Sequence, residues 1–120
     1  IHIGSCKNIW FGSQAYDFIY VEDVARCNVL SLKADATDDF YNVGSGVQTS
    51  IKELCDLILM LKQSDLKVTF KPYSEDDARQ MVQNRIGCPK KASNDLGFDY
   101  KYSLEDGLLE LIQWRNEGNA

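Results

Sequence analysis

Apolar and polar positions change period several times along this chain. Residues 16–21, YDFIYV, concentrate β-branched and aromatic residues and predict a strand. Glu22 and Asp23 then open a helix, where carboxylates suit the positive end of the helix dipole. Val24, Cys27, Val29 and Leu30 carry its apolar stripe to about Leu32. KADATDD is a polar connection, FYNV (40–43) a second short strand, and GSG (44–46) a turn whose glycines tolerate positive φ. The next helix is signalled most clearly. Ser50 and Glu53 form a capping box, and Ile51, Leu54, Cys55, Ile58 and Leu61 share one face. A strand follows at about 67–71, and then the polar, weakly patterned SEDDARQMVQNR, a loop with a short strand near its end. Pro89 suits the first position of a short helix, PKKASNDL, and Gly97 its stop. Ser103 with Asp106 opens the last helix, faced by Leu104, Leu108, Leu111, Ile112 and Arg115, with Trp114 flanking as packing and Gly118 ending it. Strands alternate with helices throughout, without repeat or linker, so residues 1–120 read as a single α/β domain.

Composition adds bounds. The chain has 120 residues, 44% hydrophobic and 26% charged, an ordinary balance for one modest globular domain. A net charge of −5 argues against non-specific nucleic-acid binding. No apolar run approaches the roughly 20 residues of a membrane helix. The start, IHIGSCKNIW, lacks the pattern of a signal peptide and an initiator Met, so a fragment or processed piece is expected. Cys6, Cys27, Cys55 and Cys88 are spread out beside the single His2. No metal site or disulfide is expected from that spacing; Cys27 and Cys55 fit a core, and the compartment reads as reducing and cytoplasmic.

Four motifs occur in order: DFIYVEDVA, FYNVGSG followed by TSIKEL, KKASNDLGF, and SLEDGLLELIQW. Over nearly the whole chain this resembles the C-terminal, substrate-binding part of the extended short-chain dehydrogenases/reductases. These are the NDP-sugar epimerases and dehydratases, of which UDP-galactose 4-epimerase is the familiar member. The resemblance implies short strands with about four helices and a cap over a UDP-sugar. The NAD-holding Rossmann core would belong to a missing N-terminal domain. DFIYVEDVA would lie at the cleft between the two parts, with Asp23 a helix-start carboxylate holding the joint. In the family, hydride passes to NAD while a tyrosine takes the proton and a nearby lysine lowers its pKa. Here no G-x-x-G-x-x-G is present, GSG lacks the spacing of a pyrophosphate loop, and no tyrosine has a lysine four residues on. No catalytic or cofactor-binding residue is therefore assigned, and the chain alone is expected to be inert.

Substrate contacts remain as candidates. A diphosphate favours the bidentate donors of arginine. By resemblance, the stretch before K-A-x-x-x-L-G carries a phosphate-contacting arginine, which would be Arg79 or Arg85. Arg26 and Arg115 read as solvated helix faces. Relatives also read G-D-G-x-Q-x-R-D-F, where this chain has WFGSQAYDF. Gln14, Asp17 and Phe18 match, while Tyr16 stands in the arginine's place and would donate a single hydroxyl hydrogen bond. Trp10, Phe11 and Phe18 suit core or base stacking. The alternative to an epimerase part is a stand-alone, non-catalytic binding or interaction module, or a relic that folds by pairing. All three predict uncovered apolar surface and self-association.

Overall fold

The computed structural model describes residues 9–10, 12–35, 38–71 and 82–118. Among these lie five two-residue strands and four helices: β1 (Ile9–Trp10), β2 (Ala15–Tyr16), α1 (Val21–Lys33), β3 (Thr49–Ser50), α2 (Ile51–Leu61), β4 (Phe70–Lys71), β5 (Asn84–Arg85), α3 (Lys90–Leu96) and α4 (Leu104–Asn116). β1 and β4 pair in parallel. β2 is the centre of a second sheet, antiparallel to β3 on one side and parallel to β5 on the other.

The helices follow the sequence signals. Ser50 Oγ accepts from the Glu53 N–H (3.1 Å) while the Ser50 N–H donates to Glu53 Oε2 (2.7 Å), and Ser103 and Asp106 repeat the arrangement at α4. Each box satisfies donors that a helix start otherwise leaves orphaned. Gly97 sits at φ 67, the left-handed stop that α3 needs. That turn lets the Phe98 N–H reach back to Ala92 O (3.2 Å) and swings Phe98 into the interior. Pro89 stands one residue earlier than expected, as the cap residue, and α3 opens at Lys90.

The strands are shorter than their composition suggests. YDFIYV enters a ladder only at Tyr16; residues 17–20 run on without strand pairing, apart from Asp17 N–H to Arg85 O at 2.9 Å. The cause lies in the neighbours. Past Tyr16 the antiparallel neighbour would be Gln48, which precedes the start of β3 at Thr49, and on the other side β5 ends at Arg85, so a longer β2 has no partner strand. FYNV forms no strand; Tyr41 and Val43 pack instead against the core. The strand expected at about 67–71 is reduced to Phe70–Lys71, whereas the one expected near the end of SEDDARQMVQNR is β5.

The core is small. Cys27 of α1 packs with Ala92 and Leu96 of α3 and with Phe98, flanked by Leu30, Ala34, Tyr41 and Val43. Burying Phe98 contributes about 1.5–3 kcal/mol. α2 is apolar on most sides, yet none of its residues is fully buried; it leans on α4. On α4 the buried residue is Gly107, a position outside the expected leucine face. A Cβ there would stand 3.1–3.2 Å from the Tyr20 side chain, so glycine is what lets α4 lie on the strand-to-helix joint.

Candidate functional site

The joint itself is built around Asp23, which is fully buried. Its carboxylate accepts from the backbone N–H of Lys101 (3.0 Å to each oxygen), from the N–H of Tyr102 (3.1 Å) and from Arg26 Nη2 (2.6 Å). Burial alone would push this carboxyl up. The Arg26 hydrogen bond, the two amides and the Arg26 charge outweigh it and hold Asp23 below the usual carboxylate range. One side chain thus ties the start of α1 to the segment that leads into α4. Arg26 is accordingly not a solvated residue. It is half-buried, lies over the Phe98 ring (5.4 Å to the centroid) and donates to Asp99 O as well as to Asp23. The second residue of the acidic pair, Glu22, accepts from the Tyr102 hydroxyl (2.8 Å), and this bond raises the Tyr102 phenol to about 12.

The sheet β3-β2-β5 gathers the expected substrate contacts. Tyr16 and Arg85 are register partners in the parallel pair β2–β5, so their side chains lie on the same face about 5 Å apart at the backbone. Arg85 is exposed and, among the described residues, makes no ion pair. The Tyr16 hydroxyl, expected to face a ligand as a donor, already donates to Val82 O (2.9 Å). It fastens the approach to β5 instead. Phe18 is half-buried and meets Tyr16 edge-on (6.1 Å). Gln14 is 2% exposed and belongs to the interior of the sheet's edge. Its carbonyl accepts from the Ile51 N–H (2.8 Å) and that of Gly12 from the Lys52 N–H (3.1 Å), so this loop satisfies the first amides of α2. Arg79, Phe11 and the side chain of Trp10 lie outside the described residues.

Asp17, one position beyond Tyr16, points to the other side of the strand. Its carboxylate is wrapped by the GSG turn, accepting from Ser45 N–H (3.0 Å), Ser45 Oγ (2.7 Å) and Gly46 N–H (2.9 Å). A Cβ on Gly44 would stand 2.4 Å from Asp17 Oδ2. The turn is therefore a small anion nest filled by the chain's own carboxylate. A dinucleotide pyrophosphate does not fit here, since the amides it would need are taken. The spacing of GSG showed only a turn; its occupant comes from 27 to 29 positions earlier in the chain and had no local signal. Trp114, read as packing, is 48% exposed.

Among the described residues no group of acidic, histidine or cysteine side chains could hold a metal ion, and no helix is long and apolar enough to cross a membrane.

Comparison with known proteins bears on the fold and the family. The profile of the NAD dependent epimerase/dehydratase family matches residues 2–44. A solved UDP-glucose 4-epimerase of Thermotoga maritima, bound to UDP-glucose, superposes with a TM-score of 0.82 at 28% identity over 93% of this chain and 35% of its own. A Bordetella bronchiseptica enzyme in complex with NAD+ and UDP superposes with a TM-score of 0.74 at 30% identity, covering 90% of this chain and 30% of that one. The UDP-N-acetyl-alpha-D-glucosaminuronate decarboxylase of Bacillus cytotoxicus is 28% identical over 108 residues, 88% of this chain and 34% of its length. The chain thus spans about a third of the relatives it matches. Residues 2–44 thus match the NAD dependent epimerase/dehydratase family, and over nearly the whole chain the fold and motif order are similar to those of its extended short-chain dehydrogenase/reductase relatives.

Proposed function

We propose that this chain is the nucleotide-sugar-binding part of an NDP-sugar epimerase acting on a UDP-sugar, with its C-terminal position in the parent, its dependence on NAD and its chemistry completed by a Rossmann domain outside these 120 residues. The observation that carries the reading is Arg85. An exposed guanidinium stands beside Tyr16 on one sheet face, while Asp17, the next residue along the chain, is turned away and held by hydrogen bonds from the GSG turn. The local field at that face therefore favours a diphosphate despite the chain's net charge of −5. With the Tyr16 donor engaged, Arg85 supplies the charge, joined by Arg79 if the segment 72–81 brings it near. Gln14 supports the sheet from within.

Hydride transfer is the chemistry NAD would supply. The chain's own residues would bind and orient the sugar nucleotide, so turnover by the isolated chain is not expected. The relatives with UDP-glucose, or with NAD+ and UDP, support the substrate class. The absence of a disulfide among Cys27, Cys55 and Cys88 suits a reducing cytoplasm.

Calorimetric titration of the chain with UDP tests the reading. Saturable binding is expected, weakened by salt. Losing one charge-assisted hydrogen bond costs about 1.5–3 kcal/mol, so Arg85→Ala should weaken binding by about tenfold or more. Arg79→Ala reports in parallel whether the second arginine shares the load. UDP binding that is untouched by Arg85→Ala would overturn the assignment.

A further inference from the structure

Arg85 is carried by a short element. β5 is two residues long, where strands usually run to about three to ten. Among the described residues it stands at the edge of its sheet, with β2 as its neighbour. β2 grips it through Ala15 N–H to Gln83 O (3.0 Å) and Asp17 N–H to Arg85 O (2.9 Å). So short a ladder leaves the place of the guanidinium dependent on whatever else holds β5.

Two side chains hold it, one on each face. Tyr16 is the register partner of Arg85 and leaves β2 on the same face. Its hydroxyl donates to Val82 O (2.9 Å), three residues before Arg85. Asn84, next to Arg85 in β5, lies on the opposite face. There Gln48 Nε2 donates to Asn84 Oδ1 (2.8 Å). Gln48 stands immediately before β3, on the far side of β2, so this bond crosses the central strand. Ala15, the β2 partner of Asn84, carries only a methyl group on that face and leaves the crossing open.

We infer, on the reading of Arg85 given above, that Tyr16 and Gln48 are positioning residues of the diphosphate site: they hold β5 from its two faces so that the Arg85 guanidinium meets the ligand. The Tyr16 hydroxyl proton is committed to Val82 O, so this side chain acts through β5 and not on the phosphate. A diphosphate is gripped only by molecules whose guanidinium is in place. Affinity therefore falls with the fraction in which β5 is docked. Removing a neutral hydrogen bond changes such an equilibrium by about two- to tenfold.

The test titrates UDP calorimetrically into the full chain as wild type, as Tyr16→Phe with Gln48→Ala, as Arg85→Ala, and with all three changes. Amide exchange is followed by NMR without ligand, and circular dichroism checks that each variant folds. The Tyr16→Phe, Gln48→Ala pair should bind UDP at least about threefold less tightly. On the Arg85→Ala background the same pair should cost less than about twofold, since no guanidinium is left to place. Without UDP, the Ala15 and Asp17 N–H groups, which donate to β5, should exchange at least about threefold faster in the pair. The Ile51 and Lys52 N–H groups, which donate to Gln14 O and Gly12 O, should stay within about twofold. A smaller loss of UDP affinity in the pair overturns the positioning role while Arg85→Ala still weakens binding and the diphosphate reading stands. A larger added loss on the Arg85→Ala background marks a direct ligand contact and overturns it too. So does exchange that is unchanged at Ala15 and Asp17, or equally faster at all four amides. UDP that fails to bind the wild type, or binds Arg85→Ala equally well, overturns the diphosphate reading and the positioning role together.

Discussion

Asp23 offers the most demanding test of how this chain holds together. Replacing it by alanine leaves the N–H groups of Lys101 and Tyr102 without their acceptor in a site closed to water, and leaves Arg26 beside Phe98 without its counter-charge. Each unsatisfied buried donor costs about 1–3 kcal/mol. The Arg26 side chain keeps 26% of its surface exposed and can regain some hydration, which tempers the charge contribution. The sum lies at about 3–5 kcal/mol, the range for removing one partner of a buried ion pair. Asp23→Asn, which keeps one acceptor oxygen, and Arg26→Ala, which removes one charge-assisted hydrogen bond but leaves both amide bonds intact, should each cost about 1.5–3 kcal/mol, less than Asp23→Ala. Urea unfolding followed by circular dichroism reads all three, and the order matters as much as the size. The pH dependence gives a second check. Since folding depresses the Asp23 pKa, its contribution is complete above the unfolded value of about 3.9 and is lost as pH falls through the lower folded value. The stability gap between wild type and Asp23→Ala should therefore be flat from about pH 7 to 5 and close only below about pH 4. An alanine variant within about 1 kcal/mol of wild type, or a gap that closes between pH 7 and 5, would refute the reasoning.

Other outcomes follow from the same geometry. Gly44→Ala would force a Cβ within 2.4 Å of Asp17 Oδ2 and should cost about 1–3 kcal/mol in a denaturant titration, whereas Gly46→Ala meets no atom closer than 3.6 Å and carries only the strain of its φ of 74. Ser50→Ala removes one half of a complete capping box and should lower stability by about 1 kcal/mol in the same assay. The Tyr102 phenol, held at about 12 by Glu22, should be the last tyrosine to ionise in an alkaline absorbance titration, and Tyr102→Phe should remove that final step. Its contribution to stability is complete below the ordinary tyrosine value of about 10 and fades as pH rises through 12.

Much of the chain's local structure was decided by short-range chemistry. The capping boxes at Ser50 and Ser103, the left-handed stop at Gly97 and the apolar face of α2 depend on residues within four positions of one another, and a sequence displays such neighbours directly. The motif order that marks the family is legible for the same reason. The candidate arginines were legible as residue types, but their setting was not: Arg85 reaches Tyr16 only through a parallel pairing across 69 positions, which no local pattern encodes.

Tertiary structure decided everything that depends on distant neighbours. YDFIYV has strand composition, yet its ladder stops at Tyr16 because β3 begins and β5 ends beside it. Arg26 sits at a position whose helical spacing suggested solvent, and only the return of Phe98 and Asp99 encloses it. GSG reads as a turn until Asp17 fills it, and the closeness of Tyr20 to Gly107 has no local signal at all. By itself, the sequence specified helix boundaries and family, because capping and amphipathic period are local interactions. Where carboxylates are buried, which donors are spent and which apolar face stays open were settled only by folding, because burial is a property of what packs from the far side.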